Sequence, residues 1–201
     1  MSAVHGLLLI DKPQGMTSHD VVNRVRRIIG MKAVGHAGTL DPFATGLLVL
    51  CIGNATRLSE YLLGETKTYT GRMKLGERTN TDDLDGEVTL RREVHVTPDQ
   101  LEVVRKTFVG PILQIPPQYS AIQVGGRRAY KLARSGETVE LQPRPVQILS
   151  LALTLGDADT VDLRMTCTAG TYVRALARDV GEALGCGAHL IALRREQSGP
   201  F

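Results

Sequence analysis

The sequence predicts an α+β fold: a mixed, largely antiparallel central sheet with flanking helices, interrupted by an excursion at about 111–145. Three observations predict it. Strand-like stretches follow one another across short turns, as "VQILSLALTL" and "VDLRMTCT" do across "GDADT". Helical stretches stand apart from these hairpins instead of alternating with strands one for one, which disfavours a doubly wound parallel sheet. Residues 111–145 carry Pro111, Pro116, Pro117, Pro143 and Pro145 together with clustered Arg and Lys, a composition unlike the chain on either side.

The elements follow in order. "GLLLI" (6–10) is a short apolar run, read as a buried strand, and "DKPQG" turns away from it. Ser18 is the expected N-cap of a helix whose Val21, Val22, Val25, Ile28 and Ile29 recur at helical spacing, with Gly30 as its stop. A Gly-rich loop, 35–46, leads into the strand "LLVLCI", and "ATRLSEYLL" reads as a short helix. In "KTYTGRMKL" the side chains alternate, so Tyr69, Gly71, Met73 and Leu75 share one face of a strand. "TNTDDLDGE" is an acidic turn. "TPDQLEVVRKTFVG" opens on a capping box, Thr97 with Gln100, has Pro98 in its first turn and ends at Gly110. After the excursion and the hairpin, "AGTYVRALARDVGEALG" reads as a helix capped by Thr171, and "AHLIALRRE" as a last strand.

Composition narrows the function classes. Over 201 residues, 42% hydrophobic residues suffice for a core, and 22% charged residues do not suggest disorder. A net charge of +3 permits a polyanionic partner without requiring one. Cys51, Cys167 and Cys186 are odd in number and form no CxxC pair, which argues against a disulfide framework and against zinc and fits a reducing cytosol. Apolar runs such as 47–52 are too short to span a bilayer. No basic segment with a following cleavage site marks a signal peptide. The expectation is a cytoplasmic protein with no metal and no membrane contact.

The chemistry gathers in "GHAGTLDPFATGLL". Asp41 before Pro42 is by itself a turn former. In a Gly-rich loop at a strand entrance it is also a candidate nucleophile or base, ionised at neutral pH, suited to attack at or proton removal near an anomeric carbon. No Gly-Lys-Ser/Thr follows, so the loop is not a phosphate cradle. His36 is either a surface imidazole or part of that site. Tyr69 is either a core tyrosine or a ring that stacks on a base. Arg174, at a helix start where the macrodipole disfavours a cation, is either solvated or paired with a carboxylate. Basic residues cluster at Arg24, Arg26, Arg27 and Lys32, at Arg127, Arg128, Lys131 and Arg134, and at Arg194 and Arg195. Each cluster is either a solvated face or part of a track for a phosphate backbone.

The Asp41 motif closely resembles the catalytic motif of the bacterial tRNA pseudouridine-55 synthases. "LLLIDKPQGMTSHDVV", "KTYTGRMKLGERTNTDDLDGE", "IPPQYSAIQVGGRRAYKLARSGE" and "CTAGTYVRALARDVGEALGCGAHLIALRR" resemble the same family in the same order, and the likeness runs through essentially all 201 residues. It implies a single catalytic domain over 1–201, with 111–145 as a mobile lobe that closes over RNA. It implies isomerisation of one uridine in the tRNA T loop, by breaking N1–C1′ and forming C5–C1′, without cofactor or metal. Asp41 then aligns with the catalytic aspartate, Tyr69 with the tyrosine that stacks on the uracil and helps remove the C5 proton, and Arg174 with the arginine that pairs with the aspartate. His36, Tyr172 and Leu193 align with residues lining the base pocket or touching the T loop. Arg127, Arg128, Lys131 and Arg134 are the expected backbone contacts of the lobe. The tRNA T arm is the expected partner and a monomer the expected state.

The sequence departs from the family in two places. Gln123 stands where many members carry Lys, and the sequence stops at "SGPF" where the resemblance implies a further C-terminal segment and RNA-binding domain, so both are expected to be absent. A non-catalytic module that binds and remodels tRNA would need the basic clusters but not Asp41. A base-excising glycosylase would use the carboxylate but release uracil.

Overall fold

The computed structural model describes residues 4–201 except 121, 136 and 138, and of residues 124, 128, 131 and 134 it describes the backbone alone. The chain runs β1 (Gly6–Lys12), α1 (Ser18–Ile29), β2 (Val34–His36), β3 (Thr45–Ile52), α2 (Ser59–Gly64), β4 (Lys67–Leu75), β5 (Glu77–Thr79), β6 (Val88–Arg91) and α3 (Pro98–Thr107). It continues with β7 (Gly110–Gln114), β8 (Gln123–Val124), β9 (Arg127–Arg128), α4 (Ala129–Arg134), β10 (Arg144–Leu155), β11 (Thr160–Cys167), α5 (Val173–Ala183) and β12 (Ala188–Ser198). The α+β class is borne out. One sheet in the order β1-β3-β12-β4-β11-β10-β7 carries the fold, with β2 paired to β3. Every pairing in it is antiparallel except the short contact of β12 with β3.

The last strand is therefore central. β12 enters between β3 and β4 and joins the N-terminal part of the sheet to the rest. Alternation explains β4, whose Tyr69, Met73 and Leu75 are buried as expected. Helical periodicity explains α1, which buries Val21, Val22 and Val25 in the same core. Burial of each such valine contributes about 1.5–3 kcal/mol.

Several boundaries differ from expectation for local reasons. Thr17, not Ser18, caps α1: its hydroxyl accepts the Asp20 amide while the Asp20 carboxylate accepts the Thr17 amide. Ser18 is buried and used elsewhere. Thr171 does not cap α5; its hydroxyl donates to the Thr168 carbonyl, and Tyr172 holds the cap position without a side-chain bond to the helix. "ATRLSEYLL" is a 3-10 turn over Gly53–Leu58 followed by α2, rather than one helix. The Thr97–Gln100 capping box on α3 is present, but Gly110 opens β7 instead of closing the helix. Both ends of the expected excursion belong to the sheet, because Gly110–Gln114 pairs with Arg144–Ile148. The excursion proper is what lies between β7 and β10.

Candidate active site

Asp41 lies in the loop between β2 and β3, and three buried side chains from elsewhere hold that loop by its backbone. Lys12, fully buried, donates from Nζ to the carbonyls of Pro42 at 3.2 Å, Met16 at 2.7 Å and Pro13 at 2.9 Å. The Ser18 hydroxyl accepts the Leu40 amide at 2.8 Å and donates to the Leu40 carbonyl at 3.2 Å. Arg195 donates from Nε to Leu47 O at 2.7 Å, from Nη2 to Gly38 O at 3.1 Å and from Nη1 to Thr39 O at 3.4 Å. These bonds explain two of the glycines. Gly46 has φ +97°, and a Cβ there would collide with the Arg195 carbonyl oxygen; Gly38 has φ +119°.

Arg174 is the hub on the other side of the carboxylate. It is 5% exposed. Its Nε lies 2.9 Å from Asp41 Oδ2, and Nη2 donates to Asp41 Oδ1 at 3.2 Å. Nη1 lies 3.2 Å from Asp83 Oδ2 and donates to Thr81 O at 3.0 Å, while Nη2 also reaches Tyr119 O at 3.0 Å. One turn along α5, Arg178 pairs with Asp82 at 2.9 Å and donates to Ile115 O at 2.7 Å. Asp82 sits at φ +61°, and the two adjacent carboxylates of the loop thus meet successive turns of one helix. Gln114, 1% exposed, accepts the Tyr172 amide at 2.8 Å and donates to the Tyr172 carbonyl at 3.1 Å, which fixes the start of α5 to the end of β7.

The electrostatics follow from this packing. Burial pushes the Asp41 carboxyl above the usual carboxylate range, the Arg174 guanidinium and the Lys12 ammonium pull it down, and Asp83 pushes it up. Burial raises the Tyr69 phenol, and the charge of the Arg195 guanidinium lowers it. Burial likewise raises Tyr172, while the nearby Arg174 guanidinium lowers it. Burial, with Arg195 and His19 nearby, keeps the His36 imidazole neutral to lower pH than usual. In its ionised form the Asp41 carboxylate, paired with Arg174 and near the Tyr69 and Tyr172 phenols, can act as a nucleophile or base.

These interactions give a pH prediction. Chemistry that needs ionised Asp41 gains rate as pH rises through its raised pKa. In Asp83→Asn one like charge is gone and Arg174 serves Asp41 alone, so the acid limb of kcat/KM moves to lower pH. A pH–rate profile of both forms checks this; an upward shift or none contradicts it.

Asp41, Arg174, Tyr69 and Tyr172 come together around this point. Leu193 is buried on β12 opposite Gly71, two residues before Arg195. His36 is half-buried on β2, with Nδ1 unpartnered. Arg127 is exposed and paired with Glu137 at 3.3 Å. The side chains of Arg128, Lys131 and Arg134 lie outside the described residues. The third basic cluster is not a phosphate track: Arg194 pairs with Asp11 at 2.9 Å and Arg195 is 1% exposed. Sequence reasoning missed Lys12, Ser18, Asp83 and the role of Arg195. Period-two alternation places Arg195 on the face of Leu193, a usable signal; nothing local marks Asp83. Among the described residues no group of three or more His, Cys, Asp or Glu is arranged to hold a metal ion. No helix among them is long and apolar enough to cross a membrane.

Comparison with known proteins finds relatives along nearly the whole chain. Residues 26–173 match the TruB family pseudouridylate synthase N-terminal domain, and residues 174–201 match the tRNA pseudouridylate synthase B C-terminal domain. The chain is 53% identical over 203 residues to tRNA pseudouridine synthase B of Paenarthrobacter aurescens (strain TC1), covering 98% of this chain and 65% of the relative. It is 49% identical over 198 residues to tRNA pseudouridine synthase B of Stutzerimonas stutzeri (strain A1501), with coverage of 98% and 65%. A solved structure of a Cbf5-Nop10-Gar1 complex superposes with TM-score 0.76 at 33% identity, covering 98% of this chain and 49% of that one. An H/ACA RNP bound to a substrate RNA containing 2′-deoxyuridine gives 0.72 at 31%, covering 98% and 48%. The chain thus spans about two thirds of its curated relatives' length.

Proposed function

Because the chain belongs to the TruB family of pseudouridylate synthases, we propose that it isomerises uridine to pseudouridine at position 55 in the T loop of tRNA. The observation that carries this is the Asp41–Arg174 ion pair, held beside Tyr69 and Tyr172 on a loop pinned by its backbone. The target base is unreachable inside a stacked loop and must flip out, at a few kcal/mol, which stacking on Tyr69 offsets by about 1–3 kcal/mol. The Asp41 carboxylate acts at the sugar, as nucleophile at C1′ or as the base that removes a sugar proton; N1–C1′ breaks and the uracil turns. C5 then bonds to C1′ and gives up its proton to the Tyr69 phenolate, and N1 takes up a proton in exchange, so the proton count is unchanged. Substrate and product have the same atoms, so the net reaction consumes no water and no redox partner.

Residues 1–201 act as one catalytic domain, with the excursion between β7 and β10 as a mobile RNA-binding lobe; His36 and Leu193 line the base pocket. The protein works as a monomer in the cytoplasm. The family-model boundary between 173 and 174 falls inside the first turn of α5 and separates β12 from the sheet it completes, which favours treating both matches as one unit. The test is incubation with an unmodified tRNA transcript and mapping of modified positions. Pseudouridine at position 55 alone supports the proposal; free uracil or an unmodified transcript overturns it.

Binding should weaken steeply with salt. Arg24, Arg27 and Lys32 are exposed and make no ion pair among the described residues. Each phosphate they neutralise contributes roughly 0.7–0.9 to the slope of log K against log salt, so neutralising all three should flatten it by about 2 to 3. A filter-binding titration with unchanged slope would place the RNA elsewhere.

A further inference from the structure

Arg195 is a cation with 1% exposure and no ion pair among the described residues. Burying an unpaired charge is costly, and an apolar residue of similar volume would pack the same space at less cost. Its donors go instead to Gly38, Thr39 and Leu47, three carbonyls of the segment that carries Asp41. Register places it opposite Gly46 on β3 and opposite Tyr69 on β4, so its charge lies beside the Tyr69 phenol. The groups that act at the sugar and at the base are on different elements; Arg195 is bonded to the first through its backbone and is the strand neighbour of the second.

We propose that Arg195 is a positioning residue: its guanidinium ties the Asp41 loop to the point of β12 that lies opposite Tyr69 and so sets the separation of the two groups. The inference rests on the reaction proposed above, which requires these two groups to work on one nucleotide. The planar fork matters because a single ammonium on a flexible stem cannot serve these three carbonyls in the same fixed directions. The positive charge also favours the phenolate, the form that accepts the C5 proton. The groups facing the phenol are Arg195 from β12, Cys167 from β11 and Asp41 from the loop, and Arg195 is the cation among them.

The test compares Arg195→Gln and Arg195→Lys with wild type on an unmodified tRNA transcript. Expected are a fall in kcat of about a hundredfold for Gln and about tenfold for Lys, with KM within about threefold in both, since misplacement of reacting groups affects turnover more than ground-state binding. Wild-type kcat in Arg195→Lys, or a loss confined to KM, overturns the inference while leaving the proposed reaction intact. A second readout does not need turnover. In an alkaline titration followed at the ultraviolet phenolate band, the difference between each form and its Tyr69→Phe derivative isolates Tyr69. That step should move to higher pH with Gln at 195 and by less with Lys. If wild type makes no pseudouridine, the proposed reaction fails, and an unmoved Tyr69 step then overturns the inference as well. Should Arg195→Gln not fold, Arg195→Lys carries both comparisons.

Discussion

Arg174→Gln should lower both stability and turnover sharply. Arg174 is the shared countercharge of Asp41 and of Asp83, whose side chains are 34% and 7% exposed. Removing it strands the buried Asp83 carboxylate and leaves the carbonyls of Thr81 and Tyr119 without a donor. Loss of one partner from a buried pair costs about 3–5 kcal/mol. Discounting the partly exposed Asp41 arm, whose field water screens, still leaves the Asp83 arm and the two carbonyls. Turnover should fall by at least about a hundredfold, because the carboxylate is then neither held ionised nor aimed. Denaturant unfolding and pseudouridine yield per enzyme check the two halves. A variant as stable as wild type would mean that Arg174 is not the hub its contacts describe.

Much of this molecule was legible in the sequence because its elements are locally signalled. The alternation in "KTYTGRMKL", the spacing of Val21, Val22 and Val25 and the Thr97–Gln100 capping box each depend on residues a few positions apart, and each is realised. Caps that failed did so because another acceptor or donor recruited the side chain: Ser18 was taken by Leu40 of the distant Asp41 loop and Thr171 by the Thr168 carbonyl three residues back. The candidate site was legible as a list of residue types: Asp41 pairs with Arg174, and Tyr69 lies near them. Its supports were not. The pairing of Arg174 with Asp83 joins α5 to an acidic stretch that reads as a plain solvated turn, and the bonds from Arg195 to Gly38 and Thr39 cross most of the chain. The excursion was drawn too long because Pro111 and Pro145 mark an edge region by composition, while β7 pairs with β10 through carbonyls and amides that composition does not see.

The central claim is that the Gly-rich loop presents the Asp41 carboxylate to the sugar of a flipped uridine, and Asp41→Asn tests it most directly. Asn is nearly isosteric, its amide oxygen can still accept from Arg174, and the bonds from Lys12, Ser18 and Arg195 reach the loop through its backbone. The loop should therefore persist, and tRNA affinity should change by less than about tenfold, roughly 1.4 kcal/mol. The amide carries no charge and is a poor nucleophile and base, so chemistry should fall by many powers of ten, on the order of 10⁴ or more. The measurement is pseudouridine formed at position 55 under single-turnover conditions, enzyme in excess, beside a binding curve on the same preparation. The account predicts full conversion by wild type and none by Asp41→Asn while the variant still binds tRNA; conversion by Asp41→Asn at a rate near that of wild type would contradict it.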